Sequence, residues 1–155
     1  MPIMKTLAAA ALALGLALSA QAFAASEHSH GSHGAELTLN NGQKWPTDEA
    51  LRRGMGEMRT AMESSLGRIH PGQFTSADYV ALADRLQRQV DYVTANCKLP
   101  EEADAQLHLV LAEILEGMDK MREGADRLEG AKRVVAALEA YGRHFNDPNW
   151  TAIAH

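Results

Sequence analysis

The sequence predicts an all-α protein: an up-down-up-down antiparallel four-helix bundle, preceded by a cleaved signal peptide and a disordered His-rich tail. Three observations predict it. Four stretches carry apolar residues at alternating spacings of three and four, the period of one helix face. Each stretch ends at a Pro, Gly or Asn signal, and the short connections left over suit antiparallel neighbours. Aromatics make up only 5% of the chain, while Ala, Leu, Glu, Arg and Met are abundant, which favours helix over sheet.

Residues 1–24 read as a secretory signal peptide. Lys5 precedes an uninterrupted apolar run from Leu7 to Leu18, and small residues follow at Ala20, Ala22 and Ala24. Cleavage is expected after Ala24, with Ala22 as the alternative. The run is shorter than the roughly 20 residues of a membrane span. The mature chain is therefore expected in the periplasm, with no membrane association after cleavage. Removing Lys5 leaves 14 basic residues against 20 acidic ones. Nucleic acid is excluded as a partner, because binding it needs concentrated positive charge. A lone cysteine, Cys97, allows no intramolecular disulfide, so stability has to come from packing.

Residues 25–36 hold His28, His30 and His33 and almost nothing apolar. Such a segment cannot bury enough surface to order itself. Its imidazoles are candidate ligands for copper, zinc or nickel, and the competing reading is a solubilising linker. Residues 37–46 form an extended linker or small hairpin, because Asn41-Gly42 between short apolar pieces is a turn signal. Leu37, Leu39 and Trp45 are expected to fold back onto the first helix.

The bundle is expected over residues 47–147. Helix 1 starts after Thr47 as N-cap and runs to about Gly67, with Leu51, Met55, Met58, Met62 and Leu66 inward. His70-Pro71-Gly72 breaks it. Thr75 and Asp78 have the spacing of a capping box for helix 2, whose face is Tyr79, Leu82, Leu86, Val90, Val93 and Cys97. Pro100 suits the first position of helix 3, with Leu107, Val110, Leu111, Ile114, Met118 and Met121 inward. Helix 4 starts near Asp126 with Leu128, Ala131, Val134, Val135, Leu138, Tyr141 and Phe145 inward, and stops at Asn146-Asp147-Pro148. In the tail, residues 148–155, Trp150 and Ile153 are expected to cap one end of the bundle.

No catalytic constellation is visible: no nucleophile elbow, H-E-x-x-H, phosphate loop or paired cysteines. The chain is therefore expected not to be an enzyme. Asp104 and His108, one turn apart, read as a solvated helix face. Cys97 reads as a small buried hydrophobe, a dimer-forming thiol or a soft metal ligand. The inward methionines are ordinary core fillers by spacing. Met55 differs, because Gly54 and Gly56 flank it and each costs a helix about 1 kcal/mol relative to alanine. Either close helix packing or a slot for a flat ligand would explain them. His144 lies in the last turn of helix 4. If helices 1 and 4 are antiparallel, Met55 and His144 meet at one end of the bundle.

A Met/His pair is a common axial ligand set of electron-transfer haems. In these features the chain resembles the small periplasmic four-helix b-type cytochromes, the cytochrome b562-like proteins. Those have a signal peptide, an up-down bundle, an axial methionine early in helix 1 and an axial histidine late in helix 4. The resemblance spans about Asp48 to Asn146 and implies haem b bound by Met55 and His144, and a periplasmic redox partner. The covalent C-x-x-C-H haem signature is absent. Three readings follow: a haem- or metal-binding bundle without catalysis, in its haem form an electron carrier; a copper-binding or buffering protein using His28, His30 and His33; and an interaction or stress protein with no cofactor. A homodimer is compatible with each.

Overall fold

The computed structural model describes residues 36–154; the expected signal peptide, residues 1–24, most of the expected His-rich tail and His155 lie outside that range. Four helices follow one another: α1 (Glu49–Ile69), α2 (Ser76–Asn96), α3 (Glu101–Glu123) and α4 (Arg127–His144). No named strand occurs among the described residues. Each helix packs against its sequence neighbours, and α4 closes the ring against α1. The α3–α4 seam is the most extensive and the α1–α4 seam the least.

The helix ends follow capping chemistry. Asp48, one residue past the expected Thr47, is the N-cap of α1, and its carboxylate accepts from Leu51 N at 2.7 Å. Its second oxygen accepts from Lys98 N at 2.6 Å, which ties the start of α1 to the residue after α2. Two adjacent good capping residues compete at this position, and the one reaching a second helix end prevails. Thr75 and Asp78 form the reciprocal capping box of α2. Arg68 adds a 2.8 Å ion pair to the Asp78 carboxylate. The Thr75 amide, then the Thr75 hydroxyl, then Arg68 hold that carboxyl below its ordinary range. Pro100 is the N-cap of α3 rather than its first residue. Gly124 ends α3 at φ +101°, a conformation that glycine adopts without strain.

The core is apolar throughout. Met55, Met58, Met62, Met118 and Met121 have no solvent exposure, and no polar or charged residue among the described ones is buried. Leu128 departs from its expected inward place, since it is 45% exposed. It lies in the first turn of α4, on the rim of the α1–α4 seam.

Glycines set how closely two helix pairs approach. A Cβ on Gly117 would stand 2.7 Å from the Gly130 carbonyl oxygen and 2.7 Å from Val134 Cγ2. On Gly130 it would stand 2.9 Å from Met121 N. Here α3 and α4 touch backbone to backbone. A Cβ on Gly54 would overlap Val93 Cγ2 of α2, whereas one on Gly56 would meet nothing within 4 Å.

The segment before the bundle binds to α3 and α4 rather than to α1. Asn40 and Gln43 exchange backbone hydrogen bonds of 2.8 and 2.9 Å across Asn41-Gly42, both at positive φ, in a one-rung hairpin. The chain then runs over the end of α4. Trp45 N donates to His144 O and Asn146 N donates to Trp45 O, both at 2.8 Å. Lys44 Nζ donates to Gly142 O and Thr47 Oγ1 to Asn146 O, both at 2.7 Å. Of these acceptors, Gly142 O and His144 O are carbonyls that the end of α4 leaves without helical partners. Leu37 packs beside Leu109, Val110, Ala137 and Ala140 in the α3–α4 groove, and Leu39 is exposed. The expected fold-back onto helix 1 is therefore replaced by a strap across α3 and α4.

After α4 the chain turns at Asp147, with Trp150 N donating to Asp147 O at 3.1 Å. Trp150 stacks edge-on to Tyr141 and covers Gly142, where a Cβ would overlap its indole. Ile153 is buried, and Ala154 N donates to Glu63 Oε1 of α1 at 3.3 Å. The tail thus lies along the α1–α4 seam instead of across the end of the bundle.

Candidate functional site

The end of the bundle where α1 starts and α4 stops collects most of the candidate side chains. Tyr141 and Phe145 are fully buried there and stack at 5.2 Å between ring centroids. The Tyr141 hydroxyl donates to Asp147 Oδ2 at 3.1 Å, and burial, then Asp147, push its pKa up. Arg52 Nη1 donates to Thr47 O at 3.0 Å.

Met55 lies in the second turn of α1 and is fully buried. Its direction follows from helix phase. Leu66, eleven residues or about three turns on, shares its line along the helix. Leu66 lines the groove between α1 and α4 with Ile69, Leu128 and Val135. Gly54, on the other flank of α1, faces Val93 of α2. Met55 therefore sits on the α4 side of the α1 stripe.

His144 is half-buried at the far end of α4. It shares a line with Ala137 and Gly130, seven and fourteen residues before it. That line faces α3. Gly130 abuts Gly117, neighbouring Arg133 pairs with Glu113 at 2.8 Å and Glu116 at 2.6 Å, and Ala137 lines the groove with Leu109 and Val110. The α1-facing line of α4 is Leu128, Val135 and Gly142 instead, with Glu139 on its solvent edge. Met55 and His144 are thus at the same end of the bundle, Met55 on the α4 side of α1 and His144 on the α3 side of α4.

The His144 ring is oriented by the helix backbone, as His108 is by Asp104 O. His144 Nδ1 lies 2.8 Å from Ala140 O. A carbonyl only accepts, so Nδ1 carries a proton, and in the neutral tautomer the lone pair is on Nε2. A backbone carbonyl in that position is the usual partner of a metal-bound histidine's other nitrogen.

The glycines beside Met55 have separate explanations. Gly54 is a contact point for α2, and Gly56 faces open space. They do not form one slot.

Cys97 is the C-cap of α2 and lines a cleft of about 200 Å3 with Thr94, Asp104, Leu107 and His108. Burial, then the carboxylates of Asp48 and Asp104, push its thiol from the ordinary 9.0 up to about 12. At neutral pH it is a protonated, inert side chain. His108 and Asp104 stand 3.4 Å apart and both are well exposed, as on a solvated helix face. Among the described residues, no group of three His, Cys, Asp or Glu side chains gathers as a metal site. Likewise no described helix is long and apolar enough to cross a membrane. His28, His30 and His33 lie outside the described residues.

Comparisons with protein-family models, curated proteins and solved structures give no match.

Proposed function

We propose that this is an exported, non-catalytic metal-binding protein of the periplasm, in which His28, His30 and His33 hold copper and the four-helix bundle carries them. The observation that carries this reading is the run His28, His30 and His33, three imidazoles within six residues. Neutral imidazole is a good ligand for Cu(II), and binding it competes with protonation near pH 6.5. Affinity therefore falls as the pH drops through that value. Titration calorimetry with Cu(II) at pH 7 tests the reading. The wild-type chain binds copper, and the triple variant His28→Ala/His30→Ala/His33→Ala loses the binding while its melting temperature stays unchanged. Equal copper affinity in both proteins overturns it.

A second reading is a b-type haem protein with Met55 and His144 as axial ligands, favoured by the free Nε2 of His144. Bound haem would supply one-electron transfer, and a periplasmic redox partner would follow. Adding haem to the purified protein tests this reading. A low-spin Met/His spectrum that is lost in Met55→Ala and in His144→Ala supports it, and no haem uptake eliminates it.

A further inference from the structure

Helix α4 turns one straight stripe away from the core: Glu129, Lys132, Ala136, Glu139 and Arg143, spaced three, four, three and four residues apart. Its charged members are solvent-accessible, from 33% for the Glu139 side chain to 63% for Arg143. The charges alternate as acid, base, neutral, acid, base. Read from the other end, every acid becomes a base and every base an acid.

We infer that this face docks a second copy of the chain, with the two α4 helices antiparallel about a two-fold axis at Ala136. Glu129 then meets Arg143 of the second copy, Lys132 meets Glu139, and Ala136 meets Ala136. A parallel pairing sets glutamate on glutamate and base on base, so the pattern selects the antiparallel one. The small side chain at the centre lets the helix axes approach. Such an interface is isologous, as most homodimers are.

Lys132, Ala136 and Glu139 of the stripe themselves line an apolar groove toward α1, and a second apolar groove lies beyond Arg133 and Ala140 toward α3. Leu66, Ile69, Leu128 and Val135 line one, and Leu37, Leu109 and Ala112 line the other. They supply apolar area, and the charges supply register and orientation.

The same charges also pair within one helix. Lys132 Nζ lies 2.7 Å from Glu129 Oε1, and Arg143 Nη1 lies 4.0 Å from Glu139 Oε2. Pairs of that kind stabilise a lone helix, so the experiment has to separate the two roles.

Sedimentation equilibrium of the purified protein, from micromolar to about 1 mM concentration, makes the separation. The mass rises to that of a dimer with concentration, and the dissociation constant rises with salt. Lys132→Glu puts glutamate against Glu139 twice per dimer and weakens association about tenfold or more. The double variant Lys132→Glu/Glu139→Lys sets like charges together within each helix but restores opposite charges between copies, so it dimerises again. Glu129→Arg/Arg143→Glu repeats the test at the outer layer, and circular dichroism checks that each variant is folded. A monomer mass at every concentration and salt overturns the inference. So does a dimer unaffected by Lys132→Glu, or a folded double variant that stays monomeric.

Discussion

Helix α4 is held by two seams of opposite kinds. Against α3 it makes backbone contact: Gly117 and Gly130 leave no room for a Cβ, and Arg133 closes the surface with Glu113 and Glu116. Against α1 the approach is looser, and the C-terminal tail fills part of the seam with Trp150 and Ile153. The rest of the α1–α4 seam is a groove of about 300 Å3 lined by Leu66, Ile69, Leu128 and Val135. A seam made of backbone contact does not repack without moving whole helices. A seam filled by an added segment can open by local release of that segment. Any ligand entering the bundle core would have its easiest route on the α1 side, whereas His144 faces the α3 side.

The sharpest way to break this comparison is Gly117→Val. The new side chain meets the Gly130 carbonyl and Val134, so α3 and α4 must separate, at a cost of about 3 kcal/mol or more. Urea denaturation measures it; a loss under about 1 kcal/mol would show that the tight seam is not tight. Next is Ile153→Ala in the filled seam. Loss of a buried isoleucine costs about 2–3 kcal/mol. Hydrogen exchange should speed up selectively along α1 and α4 and spare the α3 face; uniform acceleration would contradict the distinction.

A smaller pair of substitutions carries the comparison to α1. Gly54→Ala presses a methyl into Val93 and destabilises by about 1–2 kcal/mol. Gly56→Ala enters open space and stabilises by about 1 kcal/mol through helix propensity. Thermal melting should move in opposite directions for the two. The smallest effect is at the α1–α2 corner. Asp78 has a folded pKa below its ordinary 3.8, so its contribution is present above that value and is lost as pH falls through the lowered one. Asp78→Asn should therefore lower stability at pH 7 and flatten the acid limb of the stability curve.

The four helices were legible because each keeps a single apolar period between strong stop signals, and the Thr75–Asp78 box because both partners are three residues apart. The strap was not, since Lys44, Trp45 and Thr47 serve carbonyls about one hundred residues away and no local pattern marks that. Trp150 and Ile153 were visibly apolar, but their position along a seam depends on Gly142 leaving room for an indole. The opposition of Met55 and His144 rested on which end of the bundle each occupies. Helix phase was also in the sequence: His144 falls seven residues after Ala137, off the line of Val134, Leu138, Tyr141 and Phe145.

The central claim is that a metal is held by the imidazoles ahead of the bundle and not by the bundle's own Met55 and His144. Electron paramagnetic resonance of the protein with one equivalent of Cu(II) tests it most directly. The account predicts a spectrum with nitrogen hyperfine structure from several imidazoles, unchanged in His144→Ala and abolished in His28→Ala/His30→Ala/His33→Ala. A spectrum that survives the triple substitution and collapses in His144→Ala would contradict it.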